Sequence, residues 1–451
     1  MVRIASPEHR IDTIWRRQKN TDKIYRLMYY VLPIECADGL LLHNFITGEM
    51  ILLSPDERAC LELLPCCWEN WMDGMIQGGF LVPSDYEDEK TVDQLREVIK
   101  HMFFSKREIT SYTILPTTSC NARCFYCYQS NIKHATMSKD TANKVIEYIV
   151  SHCGGKSVQI QWFGGEPLVC VERIDQICSG LANRGIVYTS TMVSNGYLFD
   201  ERLCTHAKNA WHLEKVQITL DGTESIYNHI KAYSNVQDNP FKKVMKNVGH
   251  LLKNRITVEL RMNMDHHNST DLKNLIDELA DKFGQHSCFL PYISLLFDDV
   301  GFEPVHHNSE QISILENSKA ELENYMQQLG LGTPKKFYPY IQAIHCMADF
   351  DGSVLINPLG GIGKCEHYVY DNLIGHINSE ELDSGVIDSW KVHHHWERCH
   401  ACTLYPICNI LEMCQAKREC SEIVQDNMYS QYKNWLLSAY NHWKSMQQSK
   451  E

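Results

Sequence analysis

No stretch of this sequence approaches the roughly 18 uncharged apolar residues that a membrane helix needs. Repeats and low-complexity tracts are also missing, which sets solenoids and long linkers aside. Positive charge is in deficit: 43 Lys and Arg stand against 56 Asp and Glu, a formal net charge of −13. That balance excludes nucleic acid as the main partner, because phosphate binding needs a basic surface. An acidic chain can still recruit a basic peptide. Met1–Arg17 carries charge but neither an apolar run nor a small-residue cleavage site, so no signal peptide is expected. Even pairing is missing among the cysteines. There are 19 in 451 residues, whereas a secreted disulfide scaffold is short and evenly paired. Ten of the 19 fall into tight clusters or at defined spacings. The other nine (Cys36, Cys60, Cys66, Cys67, Cys153, Cys170, Cys178, Cys204 and Cys288) read as small buried hydrophobes. At 44% hydrophobic and 22% charged, the chain can bury substantial cores.

Three zones follow from patterning. Residues 1–105 begin with short strands at Tyr29–Pro33, Leu40–His43 and Met50–Leu53, separated by turns at Ala37-Asp38-Gly39 and Thr47-Gly48-Glu49. Ser54-Pro55-Asp56-Glu57 is a helix start, with a capping serine, proline at the first position and acids in the first turn. Residues 89–103 read as an amphipathic linking helix. Residues 106–305 alternate strand and helix. The strands are expected at Tyr112–Pro116, Val158–Phe163, Val187–Val193, Val216–Leu220, Thr257–Met262 and Phe289–Leu296. Helices are expected near 138–152, 170–183, 200–209, 240–253 and 270–283. Six βα units imply an α/β fold, a partial (β/α)6 TIM-like barrel rather than a closed eight, with its chemistry at the carboxyl ends of the strands. Residues 306–451 open with a helix (309–329), become cysteine-rich and loop-like, and close with a helix near 423–447. His393-His394-His395 reads as solvated loop.

The first cysteine group follows the first barrel strand: Cys120-Asn-Ala-Arg-Cys124-Phe-Tyr-Cys127, spaced CxxxCxxC. A zinc site wants a fourth ligand in a second knuckle, but the local count stops at three. A cubane [4Fe–4S] cluster held by three thiolates leaves one iron open, and amino and carboxylate groups of a cofactor can chelate it. Polar groups leave the ends of the later strands. Gly164-Gly165-Glu166-Pro167 follows the second, Ser194-Asn195-Gly196 the third, Thr219-Leu220-Asp221-Gly222 the fourth and Arg261-Met262-Asn263 the fifth. Each alone reads equally well as a strand-ending turn; their joint placement favours a site.

With these motifs the sequence resembles the radical S-adenosylmethionine superfamily over the whole barrel zone. The resemblance implies that Cys120, Cys124 and Cys127 hold a [4Fe–4S] cluster, with Tyr126 beside the cofactor S-adenosylmethionine. It implies that Gly164, Gly165, Glu166 and Pro167 meet the methionine ammonium group. Ser194, Asn195 and Thr219 would face the cofactor's carboxylate and ribose, Asp221 the ribose or substrate, and Arg261 the cofactor carboxylate. A reduced low-potential cluster passes one electron into the sulfonium. Methionine and a 5′-deoxyadenosyl radical result, and the radical takes hydrogen from an unactivated C–H bond.

The second group reads Cys346-x13-Gly360-x4-Cys365 and then Cys399-x2-Cys402-x5-Cys408-x5-Cys414-x5-Cys420. It resembles the seven-cysteine SPASM extension, which implies two auxiliary [4Fe–4S] clusters. By that resemblance Cys399, Cys402, Cys408 and Cys420 complete one, and Cys346, Cys365 and Cys414 leave the other with an open iron. That iron would take a substrate thiolate, a further cysteine or a carboxylate. Five residues rather than the family's three separate Cys408 from Cys414, which leaves the roles of Cys414 and Cys420 open. A zinc ribbon is the competing reading of Cys399-x2-Cys402. Glu366 directly follows Cys365, where relatives of the sulfatase-maturing kind carry a proton-accepting acid; a plain surface glutamate is the alternative.

Strands followed by helices before such a barrel resemble the RiPP recognition element, which binds a leader peptide as an added strand; a scaffold that covers the barrel is the alternative. The expected function is a radical SAM peptide maturase, an oxidoreductase that forms a thioether or carbon–carbon cross-link in a ribosomally made precursor peptide. Its electron donor would be a flavodoxin or ferredoxin, and oxygen-labile clusters suggest the cytoplasm. The competing readings are an anaerobic sulfatase-maturing, formylglycine-forming enzyme and a non-catalytic metal-binding or recognition protein. The residues ahead of the barrel count against the former, and the set of strand-end motifs against the latter.

Overall fold

The computed structural model describes residues 1–5, 15, 19–104, 108–234, 238–296, 309–331, 339–343, 346–379, 381–391, 399, 401–408, 420 and 422–448. In the first zone, strands β1 (Val2–Ala5), β2 (Ile24–Leu27), β3 (Val31–Cys36), β4 (Gly39–Asn44) and β5 (Met50–Leu53) lead into helix α1 (Pro55–Leu61). The turn expected at Ala37-Asp38-Gly39 joins β3 to β4. Gly39 sits at φ +140°, and a Cβ there would stand 2.2 Å from the Leu53 carbonyl oxygen, so only glycine fits. Ser54 caps α1 in a full capping box with Glu57. The zone continues through β6 (Cys66–Cys67), α2 (Asp73–Gln77), β7 (Leu81–Pro83) and α3 (Asp88–Ile99). Two sheets result, ordered β1-β5-β4-β3 and β6-β2-β7. The short strands β1, β2, β6 and β7 escaped the sequence reading, because runs of two to four residues show no alternation.

Six parallel strands form the centre: β8 (Ser111–Thr117), β9 (Val158–Gly164), β10 (Tyr188–Ser194), β11 (Leu213–Thr219), β12 (Thr257–Met264) and β13 (Phe289–Leu295). They lie side by side in chain order. Between them run α4 (Lys139–His152), α5 (Val171–Ala182), α6 (Glu201–Ala210), α7 (Glu224–Lys231), α8 (Pro240–Lys253) and α9 (Ser269–Phe283). Alternate strand residues such as Ile160, Trp162, Met192, Val216, Ile218 and Leu260 are buried under these helices. Burying each such side chain stabilises by roughly 1.5–3 kcal/mol. The six-unit α/β expectation is realised, with α7 as an unforeseen addition. The sheet is also wider than expected and mixed. β14 (Ser353–Ile356) pairs parallel with β8, and β15 (Gly361–Gly363) and β16 (Gly375–His376) follow antiparallel.

The third zone wraps around both others. Helix α10 (Ser309–Gln328) packs on α9 and β13, and α11 (Ser384–Lys391) follows β16. The last helix, α12 (Glu422–Gln448), returns to the start of the chain. Its Leu436 and Tyr440 share one core with Ile4, Ile34, Leu41 and Met50. Tyr440 donates to Asp38 at 2.8 Å, and Lys444 pairs with the same carboxylate at 2.7 Å. Among the described residues no helix is long and apolar enough to cross a membrane.

Candidate functional site

The loop after β8 carries Cys120, Cys124 and Cys127, all half-buried free thiols. Its base is tied down by threonine. Thr117 donates to the Ala135 carbonyl at 3.0 Å, and Thr118 to the Lys133 carbonyl at 3.1 Å. The amide of Cys127 turns back onto the carbonyl of Cys124 at 3.2 Å. Burial pushes the Cys120 thiol up to about 11 and raises that of Cys127 as well. A thiolate at Cys120 or Cys127 is favoured when a cation shares its charge, which a bound iron centre would supply. Among the described residues no three His, Cys, Asp or Glu side chains converge on a single-ion position. Three thiols in one loop are the donor set of a cubane that leaves one iron open, whereas a structural zinc site wants a fourth ligand.

Gly164-Gly165 packs directly on the backbone ahead of Cys120. Gly164 sits at φ +126°, and a Cβ there would stand 2.1 Å from the Thr117 carbonyl oxygen. At Gly165 a Cβ would stand 2.4 Å from that of Ser119. The glycines thus give close approach of the second strand end to the cysteine loop itself. Pro167 is buried at the start of a 3-10 turn. Glu166 is wholly buried and links two strand ends. It accepts from the Asn195 amide at 2.7 Å, the Ser194 hydroxyl at 2.9 Å and the Leu168 amide at 3.2 Å. Burial outweighs these bonds and pushes its carboxyl up to about 7. Asn195 reaches onward, donating to the Asn121 side chain at 2.7 Å.

A buried ion pair anchors the other side of the loop. Lys231, the last residue of α7, is 1% exposed. Its ammonium lies 2.9 Å from Asp221 Oδ2 and donates to the Tyr126 hydroxyl at 2.7 Å and to Thr219 Oγ1 at 2.8 Å. Tyr126 in turn donates to Asp221 Oδ2 at 2.6 Å. Burial works against the charge on Lys231, but Asp221 and the neighbouring oxygens raise its pKa above the ordinary lysine value. The Lys231 carbonyl accepts from the Arg123 amide at 2.8 Å, so α7 also holds the loop through backbone. The Asp221 carboxylate, expected to meet ribose or substrate, is committed through Oδ2 to this network; its Oδ1 is buried without a hydrogen-bond partner. Lys231 was missed from sequence. The available signal was a lysine one turn after Tyr227, flanking the apolar stripe Ile226, Tyr227 and Ile230. Arg261 is half-exposed on β12, opposite Thr219 on one side and Tyr292 on the other, and donates to Asn263 at 2.7 Å.

The pairing of β14 with β8 sets the segment between Cys346 and Cys365 alongside the strand that leads into the first cysteine group. His367 stacks on Tyr128, the residue after Cys127, with ring centroids 4.3 Å apart. Burial, then the neighbouring Glu366, Cys127 and Cys365, raises the Tyr128 pKa. Tyr370 and Thr118 share a hydrogen bond of 3.2 Å. Glu366 therefore lies on the CxxxCxxC side of the third zone. Cys399, Cys402 and Cys408 form successive turns, with the Cys402 amide on the Cys399 carbonyl at 2.9 Å. Cys346, Cys365, Cys399, Cys402, Cys408 and Cys420 lie within the described residues. Cys414 and His393-His394-His395 lie outside the described residues. Of the nine scattered cysteines, Cys153, Cys170, Cys178 and Cys204 are buried as expected, and Cys36, Cys60, Cys66 and Cys288 are partly so. Cys67 is exposed, because it belongs to an edge strand two residues long.

Residues 114–279 match the radical SAM superfamily. The radical SAM cyclopropyl synthase TigE of Paramaledivibacter caminithermalis is 25% identical over 198 residues, 36% of this chain and 40% of TigE. A probable GTP 3′,8-cyclase of Methanococcus maripaludis is 31% identical over 135 residues, 29% of this chain and 43% of the cyclase. The match thus spans less than half the length of either relative. Among solved structures, anSMEcpe with bound AdoMet superposes with a TM-score of 0.57 at 16% identity, covering 74% of this chain and 98% of that one. Streptococcus suis SuiB bound to its precursor peptide SuiA gives 0.52 at 13% identity, covering 88% and 99%. At these identities the fold is what is shared.

Proposed function

We propose, from the premise that this chain carries a domain of the radical SAM superfamily, that it is a peptide maturase. The observation that carries the reading is the stacking of His367 on Tyr128, which joins the segment after Cys365 to the CxxxCxxC loop. A segment following Cys365 that lies against the CxxxCxxC loop suits a reaction in which one centre starts the radical and a second receives a substrate or an electron. Cys120, Cys124 and Cys127 would hold the [4Fe–4S] cluster, and the cofactor when bound supplies the 5′-deoxyadenosyl radical. The protein's own part is positional. Gly164 and Gly165 let two strand ends close on the cysteine loop, Glu166 ties Ser194 and Asn195 together, and Lys231 fixes Tyr126 and Thr219. Phe125, 61% exposed at the tip of the loop, offers an apolar face to an incoming chain.

Cys346, Cys365, Cys399, Cys402, Cys408, Cys414 and Cys420 are read as auxiliary-cluster ligands, and Glu366 as the proton acceptor from the substrate radical site. The acid beside Cys365 also favours a second reading, a formylglycine-forming enzyme, in which the same residues oxidise a single cysteine or serine. Residues 1–105 are read as the peptide-recognition domain, 106–305 as the barrel and 306–451 as the auxiliary-cluster domain. The edges of the two small sheets suit strand addition, although Pro33 lacks an amide to donate along β3.

The test incubates anaerobically reconstituted protein with reductant, S-adenosylmethionine and the short peptide encoded beside its gene. Release of 5′-deoxyadenosine with loss of a hydrogen pair per link is the expected result. Cofactor cleavage with an unchanged peptide would discard that substrate, and no cleavage would overturn the reading. Conversion of cysteine or serine to an aldehyde would select the formylglycine enzyme.

A further inference from the structure

Arg96 belongs to α3 of the first zone, yet its side chain serves the third. It is 6% exposed. Its Nη2 donates to the carbonyl of Tyr405 at 2.5 Å, and its Nε to the carbonyl of Gln342 at 3.1 Å. The guanidinium lies over the Tyr405 ring, 4.5 Å from the centroid. The Tyr405 hydroxyl closes the circuit by donating to Asp93 on α3 at 2.6 Å. Gln342 leads into Cys346, and Tyr405 sits in the turn between Cys402 and Cys408. These two segments are joined to each other by the Gln342 amide on the Pro406 carbonyl at 2.9 Å. One buried fork therefore holds the approaches to both halves of the second cysteine group.

The geometry suits arginine alone. A guanidinium keeps its charge when buried and sends rigidly spaced donors to two carbonyls, where a lysine ammonium is a single point. The Tyr405 carbonyl also receives the Cys408 amide at 3.4 Å, so the atom that Arg96 grips is the one that shapes the Cys402–Cys408 turn. The surrounding core is continuous across the zones. Ile341 and Tyr405 pack with Tyr30, Leu42 and Leu95, and Phe45 packs with Leu404 and Ile407.

We infer that Arg96 is a positioning residue for the second cysteine group, so that the N-terminal zone takes part in assembling the auxiliary iron–sulfur centre. The inference rests on reading those cysteines as cluster ligands, a role that soft thiolate sulfur suits.

The experiment uses the full chain, reconstituted anaerobically, as wild type, Arg96→Met, Arg96→Lys, Tyr405→Phe and Cys402→Ala. Iron per chain, electron paramagnetic resonance of the reduced protein, and alkylation rates of Cys402 and Cys408 in the metal-free chain are measured. Cys402→Ala is expected to lose one cluster's iron and its resonance. Arg96→Met should lose the same iron and the same resonance while keeping the CxxxCxxC signal, which also reports that the barrel has folded. Arg96→Lys should fail to rescue, and alkylation of both cysteines should quicken about tenfold as the turn opens locally. Tyr405→Phe, which removes only the bond to Asp93, should shift the auxiliary resonance and serves if Arg96→Met does not fold. Wild-type iron, resonance and alkylation in Arg96→Met would overturn the inference alone. Wild-type iron in Cys402→Ala would overturn the ligand reading and the inference with it.

Discussion

Lys231 and Asp221 form an ion pair of 2.9 Å in which neither side chain is more than 2% exposed, directly beneath the Tyr126 hydroxyl of the cysteine loop. Removing one partner leaves a buried charge, which costs about 3–5 kcal/mol, whereas removing both with apolar residues of similar volume is far milder. Lys231→Met is therefore expected to lower stability by about that amount and to reduce the iron held by the CxxxCxxC loop. The double variant Lys231→Met with Asp221→Leu should regain most of the stability. Urea unfolding of the metal-free chain and iron counting check both.

Gly165→Ala is expected to abolish cofactor cleavage, because the added Cβ meets the Ser119 and Thr118 carbonyl oxygens at 2.4 and 2.6 Å and backbone cannot yield cheaply. Gly155→Ala is the control. Its own φ is positive, +72°, but a Cβ there meets nothing within 4 Å. It should cost only about 1–2 kcal/mol of backbone strain. Release of 5′-deoxyadenosine and a thermal melt separate the two.

Glu166 titrates higher in the folded chain, near 7, than in the unfolded one, near 4.3. Between those values the native state holds a proton that the unfolded state has lost, so stability falls as pH rises through the window. The contribution is complete below about pH 4 and lost above about pH 7; a shift of this size is worth roughly 3.5–4 kcal/mol. Glu166→Gln mimics the protonated acid. Its stability should match wild type at low pH and exceed it by up to that amount at pH 8, read as the difference between two urea series across pH. Equal pH slopes in the two proteins would show that Glu166 does not titrate in this range.

Glu366→Gln is expected to leave 5′-deoxyadenosine formation intact and to lower peptide product by about 10²–10⁴-fold, the usual weight of a positioned proton acceptor. The ratio of product to 5′-deoxyadenosine is the measurement. A ratio unchanged from wild type would make Glu366 a surface residue.

The cysteine spacings, the glycine pair and the strand alternation are local signals, and they located the barrel strands, most of their helices and the loop that gathers Cys120, Cys124 and Cys127. Val187–Val193 is observed one residue later and Val216–Leu220 begins three residues earlier, since alternation marks a strand's interior better than its ends. The turn at Gly39 and the cap at Ser54 were legible for the same reason: backbone conformation and nearby hydrogen bonds decide them. Lys231 was not, because a lysine on a short helix is ordinarily solvated, and only the arrival of Asp221, Thr219 and Tyr126 makes its burial favourable. The grip of Arg96 on Tyr405, 309 residues away, and the pairing of β14 with β8 left no periodic trace either. Sequence by itself determined which cysteines share a loop and which polar residues stand at which strand ends. Tertiary structure alone decided which buried charges hold them there, because desolvation and long-range packing depend on the partners that folding brings together.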